Sequence, residues 1–120
     1  MASPISKHLH TGRHGESLAQ QYLQEQGYML LETNYRYKRA EIDIIARKGE
    51  LLVFAEVKTR ASDVFGYPEE AVDARKEKML LDAAEAYILA IDWQQEIRFD
   101  IISVTLTSPP TIVHFEDAFY

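Results

Sequence analysis

The chain has no cysteine, one tryptophan, five glycines and four prolines among its 120 residues. Without cysteine there is no disulfide, no thiolate nucleophile and no Cys-based zinc site. No stretch approaches the ~18 consecutive apolar residues of a membrane-spanning helix. Met1 to Thr11 lacks the apolar run a secretory leader needs, so a cytoplasmic, unprocessed chain is expected. Positive charge is also scarce: 13 Lys and Arg against 19 Asp and Glu leave a net charge of −6. That balance argues against a protein that coats itself with nucleic acid, because phosphate attraction needs positive surface. Repeats, low-complexity tracts and linkers are absent too. What is present is ordinary globular composition, 47% hydrophobic and 27% charged, in one domain large enough to bury a core without staples.

The charge is uneven. Residues 1–60 carry nine basic and seven acidic side chains, whereas residues 61–120 carry four and twelve. The first half also holds a basic, aromatic-laced segment, Tyr35 to Arg39, a candidate partner surface. Residues 1–11 read as a flexible tail. Leu18, Ala19, Tyr22 and Leu23 predict a first helix starting near Thr11 or Gly12 and stopping at Gly27. Tyr28 to Tyr37, Glu41 to Lys48 and Leu51 to Thr59 read as three strands. Residues 60–68 read as a loop, and a second helix is predicted from about Glu69 to Ile91. Ile97 to Leu106 has the pattern of a strand buried on both faces, and Thr111 to Phe115 that of a short edge strand. The order αβββαβ(β) predicts an α/β (α+β) domain, a mixed sheet with a helix on each face.

Gly49-Glu50 is a two-residue turn with glycine first, which favours a type II′ hairpin. Lys48 then pairs with Leu51, and the register continues to Asp43 opposite Glu56 and Glu41 opposite Lys58. One face would hold Ile42, Ile44, Ala46, Val53, Ala55 and Val57, all apolar. The other would hold Ile45 and Phe54 near the turn, then Asp43, Glu56, Glu41 and Lys58. Opposed carboxylates repel across a sheet. Lys58 can compensate, and so can a hard divalent cation held by one or two carboxylates and waters, with the Val57 carbonyl in reach. On these residues alone, a charged face of an exposed hairpin and a metal site stand about level.

Gly12 to Glu16 (Gly-Arg-His-Gly-Glu), Ala40 to Ile45 (Ala-Glu-Ile-Asp-Ile-Ile), Phe54 to Arg60 (Phe-Ala-Glu-Val-Lys-Thr-Arg), Phe65-Gly66, Lys76 and Arg98 to Asp100 (Arg-Phe-Asp) together resemble the YraN family of small bacterial proteins. The resemblance spans about residues 12–106. That family resembles in turn the PD-(D/E)XK, restriction-endonuclease-like nucleases, in particular the Holliday-junction resolvases. The resemblance implies the αβββαβ core reached above. Asp43 matches the metal-binding Asp, Glu56 and Lys58 match the (D/E)XK pair, and Glu16 matches the acid of the resolvases' first helix. Ala40 departs from the family's usual glycine before Glu-Ile-Asp. The implied chemistry is Mg²⁺- or Mn²⁺-dependent hydrolysis of structured or branched DNA rather than RNA. Asp43, Glu56, the Val57 carbonyl and Glu16 would hold the metal, and Lys58 would orient or deprotonate a water.

Arg36, Lys38, Arg39, Arg60 and Lys76 are candidate phosphate-positioning residues, with Tyr35 or Tyr37 as stacking platforms. Each also has a plain structural reading as a solvated strand edge or a snorkelling lysine. The loop from Ala61 to Tyr67 reads as a lid or an ordinary connection. Arg98 and Asp100 read as a structural ion pair. His8, His10, His14 and His114 show no metal-ligand pattern. Two rivals to the nuclease remain: a nucleic-acid-binding module of the same fold without chemistry, and a protein-interaction adaptor using the acidic second half. A junction of two-fold symmetry calls for a homodimer, although no self-complementary patch is legible.

Overall fold

The computed structural model describes residues 4–61 and 74–119. The elements are α1 (Pro4–Glu25), β1 (Met29–Tyr37), β2 (Ala40–Lys48), β3 (Leu51–Arg60), α2 (Ala74–Ile91), β4 (Glu96–Thr105) and β5 (Thr111–Phe115). They form one five-stranded sheet in the order β1-β2-β3-β4-β5. All neighbours are antiparallel except β3 and β4, which run parallel. A parallel pair needs a crossover, and α2 supplies it. The αβββαβ core with a mixed sheet is the observed architecture. No described helix is long and apolar enough to cross a membrane.

Each helix contributes one apolar stripe. Ala19 and Leu23 of α1 pack on Ile44, Ala46, Val53, Ala55, Ile102 and Val104. Leu80, Ala83, Ala84 and Tyr87 of α2, at i, i+3, i+4 and i+7, pack on Ile45, Leu52, Phe54 and Phe99 on the opposite side of the sheet. That spacing puts four small or apolar side chains on one helical face. Helix α1 starts earlier than Thr11: the chain is helical from Pro4, so residues 4–11, read above as tail, are helical. Proline suits the first turn because its missing N–H needs no partner there, and no helix breaker follows until Gly12. At the other end, Tyr28 N–H donates to the Leu23 carbonyl (2.9 Å) and Gly27 N–H to the Gln24 carbonyl (3.0 Å). This closing motif seats Tyr28 against Leu23 in the core.

The hairpin register follows the turn. Gly49 takes φ of 62°, and Glu50 is not among the residues of positive φ, as a type II′ turn requires. Lys48↔Leu51, Ala46↔Val53, Ile45↔Phe54 and Ile44↔Ala55 pair as expected, but the ladder ends there. Ile42 is the reason. It belongs to the α2-side cluster with Ile45 and Phe54, whereas Ile44 belongs to the α1-side cluster. Residues two apart in a regular strand share a face, so β2 switches faces at Asp43. The single apolar face that included both Ile42 and Ile44 is therefore corrected, as are the direct pairings of Asp43 with Glu56 and of Glu41 with Lys58.

A buried polar network fastens the far edge of the sheet to α1. Asp100, fully buried, accepts from Arg98 Nε at Oδ1 and Nη2 at Oδ2 (both 2.8 Å). It also accepts from the Asp117 N–H (3.0 Å) and lies 2.6 Å from His114 Nε2. His114 Nδ1 in turn meets Tyr22 Oη at 3.2 Å, and Arg98 Nη2 donates to Tyr28 Oη at 2.9 Å. Burial alone would raise the Asp100 carboxyl. The hydrogen bonds from His114, Arg98 and the Asp117 backbone outweigh it and hold the group below the ordinary carboxylate range. The expected Arg98–Asp100 pair is present, and His114 is a structural member of it.

Candidate metal centre and phosphate cleft

Where β2 and β3 part, their side chains open onto a cleft of about 320 Å³ covered by α2. Asp43, Glu56, Glu41, Arg39, Lys76 and Met79 line it. Glu56, 8% exposed, points its Oε1 at Lys76 Nζ, 3.0 Å away. Asp43 stands at the face switch. Its Oδ2 accepts the Val57 N–H at 2.8 Å, so the side chain takes over a backbone donor where the β2–β3 ladder has ended. Val57 packs its side chain against the α1-side core and gives this N–H to the site.

The electrostatics are those of carboxylates gathered faster than cations. Burial, then the Glu56 carboxylate, then Glu16 and Glu41 push the Asp43 carboxyl from 3.8 to about 7, against the lowering effect of the Val57 N–H. Glu16 is raised too, first by burial and next by Glu41, with the Asn34 amide opposing. Glu16 reaches this neighbourhood because α1 lies very close to β3 at Gly15. A Cβ on Gly15 would stand 1.9 Å from Thr59 Oγ1 and 2.4 Å from Thr59 Cγ2. Glycine in mid-helix costs about 1 kcal/mol relative to alanine, and here it is the side-chain-free position that the close approach needs.

Among the described residues, no set of three or more His, Cys, Asp or Glu side chains is grouped tightly enough to hold a metal ion by itself. Three carboxylates line the cleft; Glu41 is paired with Arg36, which leaves Asp43 and Glu56 as the donor pair. Mg²⁺ asks for no more, since it keeps several waters and binds through one or two carboxylates plus phosphate oxygens. The donor chemistry fits such an ion, and Glu16 stands outside that pair.

The other predicted positions divide. Arg39 lines this cleft and a neighbouring one of about 350 Å³ that also takes in Tyr37, Lys38, Arg75 and Met79. Lys38 Nζ lies 5.3 Å from the Tyr37 ring centroid. Arg36 is exposed and pairs with Glu41 Oε2 at 3.1 Å. Tyr35 is no stacking platform, because its ring packs edge-on against Tyr87 in the core at 5.1 Å. Lys58 is half-buried beside Ser103 of β4 and is not among the side chains lining the cleft. Arg60 ends β3 outside both clefts, its carbonyl accepting the Leu106 N–H at 2.9 Å. The sequence reading missed Lys76 as the cation on Glu56 and Asn34 beside Glu16. Lys76 was expected from the family resemblance and as a phosphate-positioning residue, but not as the partner of Glu56. The loop residues 62–67, Phe65-Gly66 included, and the start of the second helix at 69–73 lie outside the described residues.

Comparison with known sequences now decides the family. The pattern of the Uncharacterised protein family UPF0102 matches residues 15–104. The chain belongs to the UPF0102 family. This is the YraN family of the sequence resemblance. A UPF0102 protein of Flavobacterium psychrophilum is 46% identical over 117 residues, covering 97% of this chain and 98% of its own. One from Christiangramia forsetii is 41% identical over the same shares of the two chains. Another, from Parabacteroides distasonis, is 42% identical over 91% of each. The matched UPF0102 region runs from Gly15, at the α1–β3 contact, to Val104 near the end of β4, and so takes in Glu16, Asn34, Asp43, Glu56 and Lys76.

Proposed function

We propose that this protein is a metal-dependent endonuclease that hydrolyses phosphodiester bonds in structured or branched DNA. One observation carries the reading: Asp43 and Glu56 face one cleft at the parting of two strands, beside Lys76 and Arg39. Carboxylates crowded until one is raised to about 7 are a site short of positive charge. A scissile phosphate with a divalent cation brings it.

Bound there, Mg²⁺ or Mn²⁺ would lower the pKa of a coordinated water and neutralise charge on the phosphate. The chain's own groups do the rest. The Val57 N–H fixes Asp43 Oδ2 and so aims the carboxylate. Lys76 Nζ, already on Glu56 Oε1, is a cation placed to meet a phosphate oxygen and stabilise developing negative charge. Arg39 joins the two clefts, and with Lys38 and Arg75 it makes a positive rim along which a DNA backbone can be positioned. That rim offsets the net charge of −6 locally, which predicts a weak grip strongly dependent on salt and divalent ions.

One observation favours a second reading, a nucleic-acid-binding module without chemistry. Lys58, the motif's lysine, does not line the cleft. A cleavage assay separates the two: purified protein with Mg²⁺ or Mn²⁺ on four-way junctions, flaps and linear duplex, alongside Asp43→Ala. The nuclease reading expects nicking of branched DNA that is lost in the variant. Binding with a steep salt dependence and no cleavage would establish the module. Neither binding nor cleavage would leave the adaptor.

A further inference from the structure

Two backbone irregularities face each other across the first hairpin of the sheet. The pairs Thr33↔Ile44 and Tyr35↔Ile42 place Asn34 directly opposite Asp43, where β2 switches faces. Asn34 itself has φ of 52°, in the left-handed region that asparagine tolerates better than most residues. The surrounding carboxylates assign its amide orientation: with the nitrogen toward them, it donates to Glu41 Oε1 at 2.9 Å and to Glu16 Oε2 at 3.2 Å. In the opposite orientation its oxygen would face only carboxylate acceptors. One side chain thus ties β1 to α1 and β2.

We infer that Asn34 is a positioning residue, gathering the Glu16 and Glu41 carboxylates beside Asp43 as the outer ring of the divalent-cation position held by Asp43 and Glu56. This rests on the metal-site reading above. The residue type is the argument. A lysine or arginine here would also hold two carboxylates, but it would cancel the negative charge that attracts a divalent ion. An aspartate would add a further acid and donate nothing. A neutral amide supplies two N–H groups and leaves the charge intact. Arg36 Nη2 on Glu41 Oε2, 3.1 Å, fixes the second oxygen of Glu41 from the solvent side. Glu16, held by the same amide and acting electrostatically on Asp43, is then an outer carboxylate of the position.

The test is Mn²⁺ binding by titration calorimetry on the full chain, without nucleic acid. Asn34→Gly removes the amide but suits φ of 52°, so the backbone is spared. Equal melting temperatures in EDTA would show that. Mn²⁺ affinity should fall roughly tenfold to a hundredfold, the usual cost of losing a group that orients metal ligands. In a Glu16→Gln/Glu41→Gln background the same change should cost little more, because the amide then has no carboxylates to hold. Unchanged affinity in Asn34→Gly, or a loss that is fully additive with the two glutamines, would overturn the positioning role and leave the nuclease reading standing. Absence of Mn²⁺ binding by the wild type would overturn both.

Discussion

The Asp43 carboxyl yields the sharpest test, because its cost to the fold has a sign and a pH range. In the unfolded chain it titrates near 3.8, and in the fold near 7. Between those values the native state keeps a proton that the unfolded chain has released. The stability this group contributes is therefore complete below about pH 4 and is lost progressively as pH rises to 7. At about 1.36 kcal/mol per pH unit, the loss is at most about 4 kcal/mol over the interval from 3.8 to about 7. Sharing of the proton with Glu56 makes about 2–4 kcal/mol the working range. Asp43→Asn keeps an oxygen for the Val57 N–H and removes the charge. Urea or thermal unfolding of both proteins in EDTA, from pH 4 to 8, should show near-equal stabilities at pH 4. The curves should diverge up to pH 7 and then run parallel, with the variant the more stable and its melting temperature at pH 8 higher by roughly 10 °C. A variant less stable than wild type at pH 8, or a difference independent of pH, would refute the claim that Asp43 is crowded by carboxylates.

Metal should supply what the charge lacks: Mn²⁺ at about a hundredfold over its Kd should stabilise the wild type by about 2.7 kcal/mol at pH 8 and Asp43→Asn far less, read as melting-temperature shifts. Gly15→Ala should destabilise by about 1–3 kcal/mol through its clash with Thr59, with part of the loss recovered in Gly15→Ala/Thr59→Ala by chemical denaturation. Asp100→Asn should cost about 3–5 kcal/mol, because it leaves Arg98 beside a neutral partner in a buried site. The Asp100 carboxyl is held below its ordinary value, so its contribution is present above the unfolded pKa and disappears as pH falls through the folded one. Wild type and Asp100→Asn should therefore converge in strong acid. Lys76→Ala should weaken junction binding and cleavage together, whereas Lys76→Arg should restore much of the binding, by gel shift and single-turnover cleavage.

Periodicity and turn chemistry determined most of the architecture. Thr111–Phe115 is the short edge strand expected, and the Gly49-Glu50 turn set a register that holds from Lys48↔Leu51 to Ile44↔Ala55. Those are local properties, readable wherever neighbouring residues settle their own conformation. Arg98 and Asp100, two apart on one strand, are legible for the same reason. The helix start at Pro4 was missed because Ile5 and Leu9, two apolar residues among Ser6, Lys7, His8 and His10, are too short a stripe to announce a helix.

The site divides along the same line. Register arithmetic on the sequence put Asp43 and Glu56 on one face, and they do line one cleft, although the direct pairing it assumed does not form. That they meet at a parting of strands did not follow from it, because the face switch at Asp43 depends on Ile42 finding the α2-side core and lies opposite Asn34, whose φ is 52°. Lys76 on Glu56 and Glu16 near Asn34 are meetings between elements 20 and 18 residues apart in the chain, made by the packing of two helices on opposite faces of one sheet. Local sequence specifies which groups a strand presents. Only the closing of α1 and α2 over the sheet decides which of them share a cleft, and so which cation answers the acidity of this chain.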